Sequence, residues 1–245
     1  MQKIIKSCAI VFLCFLLSTE SGFSQENDDD NSVFGSMQRF KSISKDQVLV
    51  NINWDYWNNT PDNIKINPLS AGFNAAVLVQ LLGQHTLLAV ASGIGFGTIN
   101  MRSNAYPVAD TIGNTYFVTI PDGYEYSSNK ISVSYIDVPL EFRYRTVPDY
   151  RGRSWKVNMG FKAGLMIQNH QKYDGDDYRS PGNAGRVKFK QYRIENIAMY
   201  RYGPYVRLGF DKVGLSVFYS FAPIFMKDKG PQIIPVTISI SVIPI

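Results

Sequence analysis

The stretch Tyr135-Ile136-Asp137-Val138-Pro139-Leu140-Glu141-Phe142-Arg143-Tyr144-Arg145 decides the fold. Ile136, Val138, Leu140, Phe142 and Tyr144 occupy every second position, against Asp137, Pro139, Glu141, Arg143 and Arg145. Successive side chains of a strand point to opposite faces, so this run is a strand with one apolar and one charged side. The next segment repeats the pattern: Trp155, Val157, Met159, Phe161, Ala163, Leu165 and Ile167 oppose Lys156, Asn158, Gly160, Lys162, Gly164, Met166 and Gln168. Upstream, Val48, Val50, Ile52, Trp54 and Tyr56 oppose Asn51, Asn53 and Asp55; downstream, Ile234, Val236, Ile238, Ile240 and Val242 oppose Thr237, Ser239 and Ser241. Less regular alternation at 68 to 81, 86 to 99, 192 to 210 and 213 to 222 brings the expected number of strands to eight.

A soluble barrel alternates too, with its apolar face inward. Three features favour lipid. Several segments exceed ten residues, about the length a tilted strand needs to cross a bilayer, whereas soluble strands average five or six. Aromatic residues gather near the ends of the apolar faces, at Trp54 and Tyr56, Tyr144 and Trp155, and Tyr219 and Phe221, as an interfacial girdle requires. The connections alternate in length: 58 to 67, 100 to 130, 169 to 191 and 223 to 232 are long, while 83 to 85, 147 to 153 and 211 to 212 are short. An all-β, eight-stranded, antiparallel up-and-down transmembrane barrel with both termini in the periplasm predicts that order. The strand-like run that reaches Ile245 must then pair with the first strand, because an open edge in hydrocarbon leaves backbone groups unsatisfied.

The rest of the chain is organised around this barrel, expected over residues 46 to 245. Residues 1 to 24 read as a cleaved secretory signal: Lys3 and Lys6 precede an apolar run from Cys8 to Leu17, and Gly22-Phe23-Ser24 offers small residues for cleavage. That run is shorter than the roughly 20 apolar residues of a spanning helix. Cys8 and Cys14, the two cysteines of the chain, fall in the signal, so the mature part has neither disulfides nor thiolate metal sites. Residues 25 to 45 open on Gln25-Glu26-Asn27-Asp28-Asp29-Asp30 and read as a solvated periplasmic segment. Of 25 basic and 20 acidic residues, the signal holds Lys3, Lys6 and Glu20, which leaves 23 against 19. These are scattered, without the basic stripe of a nucleic-acid binder.

With the apolar face on lipid, Asp137, Glu141, Arg143, Lys156, Lys162, Arg201 and Arg207 fall inside. Eight strands enclose a space just wide enough for side chains to fill, so these charges are expected to pair and plug the barrel, which disfavours a solute pore. Glu141→Leu is then expected to destabilise the barrel more than Leu140→Val.

No catalytic, cofactor-binding or metal-binding residue is assigned, and the chain is not expected to be an enzyme. His85 lies in a predicted periplasmic turn and His170 near the outer mouth, so they cannot share a metal or a catalytic centre. A Ser-His hydrolase built on His170 finds no serine placed beside it by any motif. Asp174-Gly175-Asp176-Asp177 superficially resembles a calcium loop but lacks the later bidentate acid, and a solvated loop is the simpler reading.

Tyr135-Ile136-Asp137-Val138-Pro139-Leu140-Glu141-Phe142-Arg143-Tyr144 resembles a segment of the PorT-like outer-membrane β-barrel proteins. Gly160-Phe161-Lys162-Ala163-Gly164 is similar to the glycine-bearing strand that follows it there. Tyr219-Ser220-Phe221-Ala222-Pro223-Ile224-Phe225, Lys229-Gly230-Pro231 and Pro235-Val236-Thr237-Ile238 resemble the closing hairpin. The likeness covers the second half of the chain by sequence and the first half by pattern. It implies an eight-stranded outer-membrane barrel without catalytic residues, associated with type IX protein secretion and, in gliding bacteria, motility. Its implied partners are outer-membrane lipid and secretion-machinery proteins. At the matched positions Pro139 interrupts ladder donation, where a bulge or local bend can accommodate it, and Gly160 and Gly164 leave room for bulky neighbours in the lumen. The alternatives to a secretion accessory are a surface-binding barrel with adhesive loops at 100 to 130 and 169 to 191, both rich in tyrosine, glycine and asparagine, and a narrow solute pore.

Overall fold

The computed structural model describes residues 46–68, 70–83, 87–180 and 185–243. The expected signal, the segment 25 to 45, His85 and Ile245 lie outside them. Among the described residues the chain is all-β, with strands β1 (Asp46–Asn58), β2 (Ala71–Leu82), β3 (Leu88–Arg102), β4 (Ala105–Ala109), β5 (Thr115–Thr119), β6 (Tyr126–Arg145), β7 (Trp155–Asp176), β8 (Arg186–Tyr192), β9 (Tyr200–Phe210), β10 (Val213–Tyr219) and β11 (Ile234–Val242). Neighbours pair in the order β6-β3-β2-β1-β11-β10-β9-β7, and β6 pairs again with β7, which closes an eight-stranded antiparallel barrel. The first and last strands form the seam, from Val50↔Val242 to Asn58↔Ile234.

The facing assignments follow the alternation. Ile52 and Tyr56 of β1, Ile136 to Tyr144 at even positions of β6, Trp155, Met159, Phe161 and Leu165 of β7, and Ile238, Ile240 and Val242 of β11 are exposed on the outside. Val77 and Val79 of β2, Ile94 and Phe96 of β3, Val206 and Leu208 of β9, and Leu215 and Val217 of β10 complete an apolar belt around the wall. A soluble protein does not expose a continuous apolar band of this extent, whereas a barrel in hydrocarbon requires one. Aromatic side chains rim it: Trp155 and Phe210 meet at 5.1 Å near the short turns, and Phe161, Tyr202, Tyr219 and Phe221 contact one another toward the long connections.

Three expectations about the wall are corrected. The segment 100 to 130 is not a loop throughout: β3 runs to Arg102, β6 starts at Tyr126, and β4 and β5 form a hairpin between them. The segment 169 to 191 is likewise taken up by the upper part of β7 and by β8, which pairs with it from His170↔Tyr192 to Asp176↔Arg186. The barrel strand expected from residue 192 begins only at Tyr200. One bulge explains the second correction: Ser134 faces Gln168 while Tyr135 faces Met166, so Ile167 is an extra residue in β7. An extra residue inverts the alternation. Below it odd residues of β7 face lipid; above it Asn169, Gln171 and Tyr173 are buried.

Pro139 involves no bulge. It stays in register with Lys162, and the β3 ladder instead lapses opposite it, between Ser92↔Leu140 and Gly95↔Asp137. Ser92 Oγ donates to the Pro139 carbonyl at 2.8 Å and satisfies the acceptor that the gap would strand. Two tight turns use one device. Asp149 Oδ1 accepts from the amides of Arg151 and Arg153, Asp110 Oδ1 accepts from those of Ile112 and Asn114, and Gly152 and Gly113 supply the positive φ that each turn needs.

Candidate functional site

The interior has two layers of different chemistry. Toward the short turns, Glu141 of β6 is fully buried and receives three donors. Arg143 reaches its Oε1 through Nε at 3.0 Å and Nη2 at 2.9 Å, Arg207 of β9 clamps both carboxylate oxygens, and the Tyr205 hydroxyl donates to Oε2 at 3.1 Å. With its amide oxygen turned to the guanidinium, Asn158 accepts from Arg207 at 3.0 and 3.1 Å. Higher in the lumen, Arg201 pairs with Asp137, with Nε to Oδ1 at 2.9 Å, and stacks over Tyr135 at 4.1 Å. Lys162 approaches Asp137 at 3.8 Å and lies over the Phe218 ring at 3.9 Å. Asp55 accepts from the Asn100 amide at 2.9 Å and from Thr237 Oγ1 at 2.8 Å.

Of the luminal charges named from the sequence, Asp137, Glu141, Arg143, Lys162, Arg201 and Arg207 are therefore inside the barrel in two carboxylate-centred clusters, whereas Lys156 is half-buried at the turn end and donates to the Asp211 carbonyl at 2.6 Å. The geometry of the two clusters needs small residues opposite. A Cβ on Gly164 would stand 2.1 Å from Asp137 Oδ1, and one on Gly160 would stand 2.9 Å from the Tyr205 ring. Asn51, Asn53, Lys162 and Arg201 line a cavity of about 50 Å³. That space accommodates a few water molecules and no solute.

The second layer, at the long-connection end, is apolar. Trp57, Ile99, Met101, Ile131, Val133 and Tyr135 face inward from the barrel wall. Ile64 from the β1–β2 connection, Ala105 and Phe117 from the hairpin, Ile194 and Ile197 from the β8–β9 connection, and Ile224, Phe225 and Ile233 from the β10–β11 connection pack against them. Phe117 and Phe225 meet edge to face at 5.7 Å. Backbone bonds tie the connections together: Asn104 to Lys65, Thr115 to Lys229, Ala198 to Ile224 and Met226 to Asn196. Asn196 Nδ2 also donates to the Gly113 carbonyl and to Thr115 Oγ1, both at 2.9 Å. The four long connections thus form one cap across the mouth. A smaller aromatic cluster lies further out, where Tyr173 stacks on Phe189 at 5.3 Å and meets Tyr178 edge to face at 4.9 Å.

This cap is what sequence reasoning missed. Its apolar residues come singly from segments far apart in the chain, so no window carries a period. The available signal was the presence of these apolar residues in connections expected to be outward loops.

The residues singled out for chemistry are dispersed. His170 stands in register with Ser132 and Tyr192, above the apolar belt. Burial, followed by the charges of Lys190, Lys130 and Lys172, brings its imidazole down to about 4, so it is neutral at pH 7. Asp174 pairs with Lys188 at 3.3 Å, Asp176 Oδ2 accepts from the Glu125 amide at 2.8 Å, and Asp177 Oδ1 accepts from the Arg179 amide at 3.1 Å. The three carboxylates hold strands and a turn rather than converging, and no group of three metal-ligating residues occurs among the described residues.

Comparison with known families places this architecture. The model of the outer membrane protein beta-barrel domain matches residues 17–225. The chain belongs to this family. It is therefore an outer-membrane β-barrel, and the belt of lipid-facing side chains is the physical expression of that membership. The crystal structure of Ail, the attachment invasion locus protein of Yersinia pestis, in complex with the heparin analogue sucrose octasulfate, is similar over 81% of this chain and 96% of that one, at 10% identity and a TM-score of 0.35. A likeness that low says nothing about ligand or role. No curated protein matches by sequence.

Proposed function

We propose that this chain is a closed, non-enzymatic outer-membrane barrel that works through its surfaces, as an accessory or assembly factor in protein secretion. The observation that carries the surface reading is the double closure of the interior, ion-paired toward the short turns and apolar under the long connections. A conduit needs a continuous polar path, and an apolar layer across the mouth opposes one. The long connections face outward and the short turns the periplasm, following the asymmetry of outer-membrane barrels. On this reading residues 1 to 24 are the cleaved export signal and the segment 25 to 45 is periplasmic. Secretion as the process served rests on the resemblance of the segments around Tyr135–Tyr144 and Tyr219–Ile238 to the PorT-like barrels.

Deletion of the gene followed by an inventory of secreted proteins tests this role. Loss of secreted proteins, restored by the wild-type gene, is expected. Intact secretion combined with lost surface attachment would instead establish the second reading, a surface-binding barrel. That reading is favoured by the tip of the β4–β5 hairpin, where Ile112 is 79% exposed and Tyr116 also projects.

A further inference from the structure

Beyond the apolar belt, β3, β6, β7 and β8 continue as a tall wing, and their register brings four cations into line. Arg102 of β3 is directly opposite Lys130 of β6, Lys130 is opposite Lys172 of β7, and Lys172 is opposite Lys190 of β8. All four stand on the outward face. Like charges directly opposite on neighbouring strands are destabilising unless something compensates them. Among the described residues none of the four makes an ion pair, and the carboxylate in the next row, Asp174, is taken by Lys188. Lys130 Nζ has only a long contact to Asn100 Oδ1 at 3.5 Å, and Lys190 lies over the Tyr192 ring at 4.7 Å. Burial and then the charges of Arg102, Lys172 and Lys190 hold the Lys130 ammonium below its ordinary range, with no acid acting the other way.

The height of the row says what meets it. Lys130 is six residues beyond Ile136, which faces lipid, or roughly 20 Å along the strand and about 15 Å along the membrane normal at the usual tilt. Between them the alternate positions on these strands are small or polar: Ser132 and Ser134 on β6 and Asn100 on β3 are buried among their neighbours, His170 on β7 is half-buried and Gln168 on β7 is exposed. That level belongs to the headgroups of the outer leaflet, on the side where the wing stands. We propose that the row Arg102, Lys130, Lys172 and Lys190 is a binding site for the phosphates of an acylated, phosphorylated glycolipid in the outer leaflet. The phosphates supply the missing countercharge, and the exposed amide of Gln168 beneath offers hydrogen bonds to the sugar. The inference rests on the outward placement of the long connections but not on the secretion role.

The test uses the purified full-length barrel in zwitterionic detergent, titrated with an acylated glucosamine disaccharide bearing two phosphates, with its dephosphorylated form, and with inorganic phosphate, and read by native mass spectrometry. The diphosphorylated lipid is expected to bind in preference to the dephosphorylated one. A cation beside a charged lipid surface contributes about fivefold in affinity, so the triple variant Lys130→Gln/Lys172→Gln/Lys190→Gln should lose on the order of 100-fold. The matching triple arginine variant should retain binding. Without lipid, the glutamine variant should unfold no earlier than wild type, because the repulsion is gone. Equal binding by wild type and the glutamine variant, indifference to the lipid phosphates, or complete competition by millimolar inorganic phosphate would overturn the proposal, as would a glutamine variant that is less stable without lipid. Because the readout is binding by purified protein, its failure is separate from failure of the secretion role.

Discussion

The two halves of the interior solve the same problem, filling a barrel too narrow to be a channel, with opposite chemistry. The half near the short turns is charged and comes from the barrel strands themselves; the half under the long connections is apolar and joins residues of the barrel wall to others from the hairpin and the connections. The first is legible in a local window, because Asp137, Glu141, Arg143, Lys162, Arg201 and Arg207 sit at alternate positions of regular strands. The second is not. The two halves are also expected to respond differently to perturbation, since a buried charge deprived of its partner is costly wherever it sits, whereas an apolar cap can open locally while the wall stays intact.

The largest expected effect tests the charged half. Glu141→Leu leaves Arg143 and Arg207 buried without a countercharge, and removing one partner of a buried pair costs about 3–5 kcal/mol. Leu140→Val, one residue away on the lipid face, should change stability by no more than about 0.5 kcal/mol. Heat-modifiable mobility and urea titration of the two variants check the contrast. Equal stability would break the facing assignment.

Phe225→Ala probes the apolar half. The ring is fully buried between the hairpin and the β10–β11 connection, and such a truncation costs about 3–4 kcal/mol. Here the loss is expected to appear as faster proteolysis of the long connections, with the barrel's gel mobility unchanged. Global unfolding at the same denaturant as Glu141→Leu would show that cap and wall are one cooperative unit. Gly164→Ala should cost about 1–3 kcal/mol, because its Cβ would collide with Asp137 Oδ1 and disturb the pair with Arg201.

The smallest effect lies outside both layers. In the turn at 149 to 153, hydrogen bonds from the backbone and side chain of Arg153, together with the amide of Arg151, hold the Asp149 carboxyl below its ordinary 3.8. A depressed folded-state value means the contribution is present above the unfolded value and lost as pH falls through the folded one. Asp149→Asn should therefore flatten the acid limb of a stability profile below about pH 4 and leave neutral pH nearly unaffected. A changed profile at pH 7 would contradict this.

What the sequence made legible and what it hid have the same physical origin. Facing could be read wherever lipid and lumen impose different chemistry on alternate residues, as from Ile136 to Tyr144. Reading stopped at Ile167, where one extra residue inverts the alternation and β7 exchanges β9 for β8 as its partner. It failed again between β3 and β6, where the five-residue strands β4 and β5 flank a turn and one contains Pro107. The cap was hidden because Ile64, Phe117, Ile197 and Phe225 acquire a common environment only after the barrel has closed.

The claim on which the account turns is that the interior is shut. Planar-bilayer recording of the purified wild-type barrel, alongside a variant lacking the β4–β5 hairpin, measures it directly. No stable ion current is expected from wild type, and at most brief, noisy events from the variant, whose ion-paired layer is still in place. A steady, reproducible conductance through the wild-type barrel would contradict the closed interior.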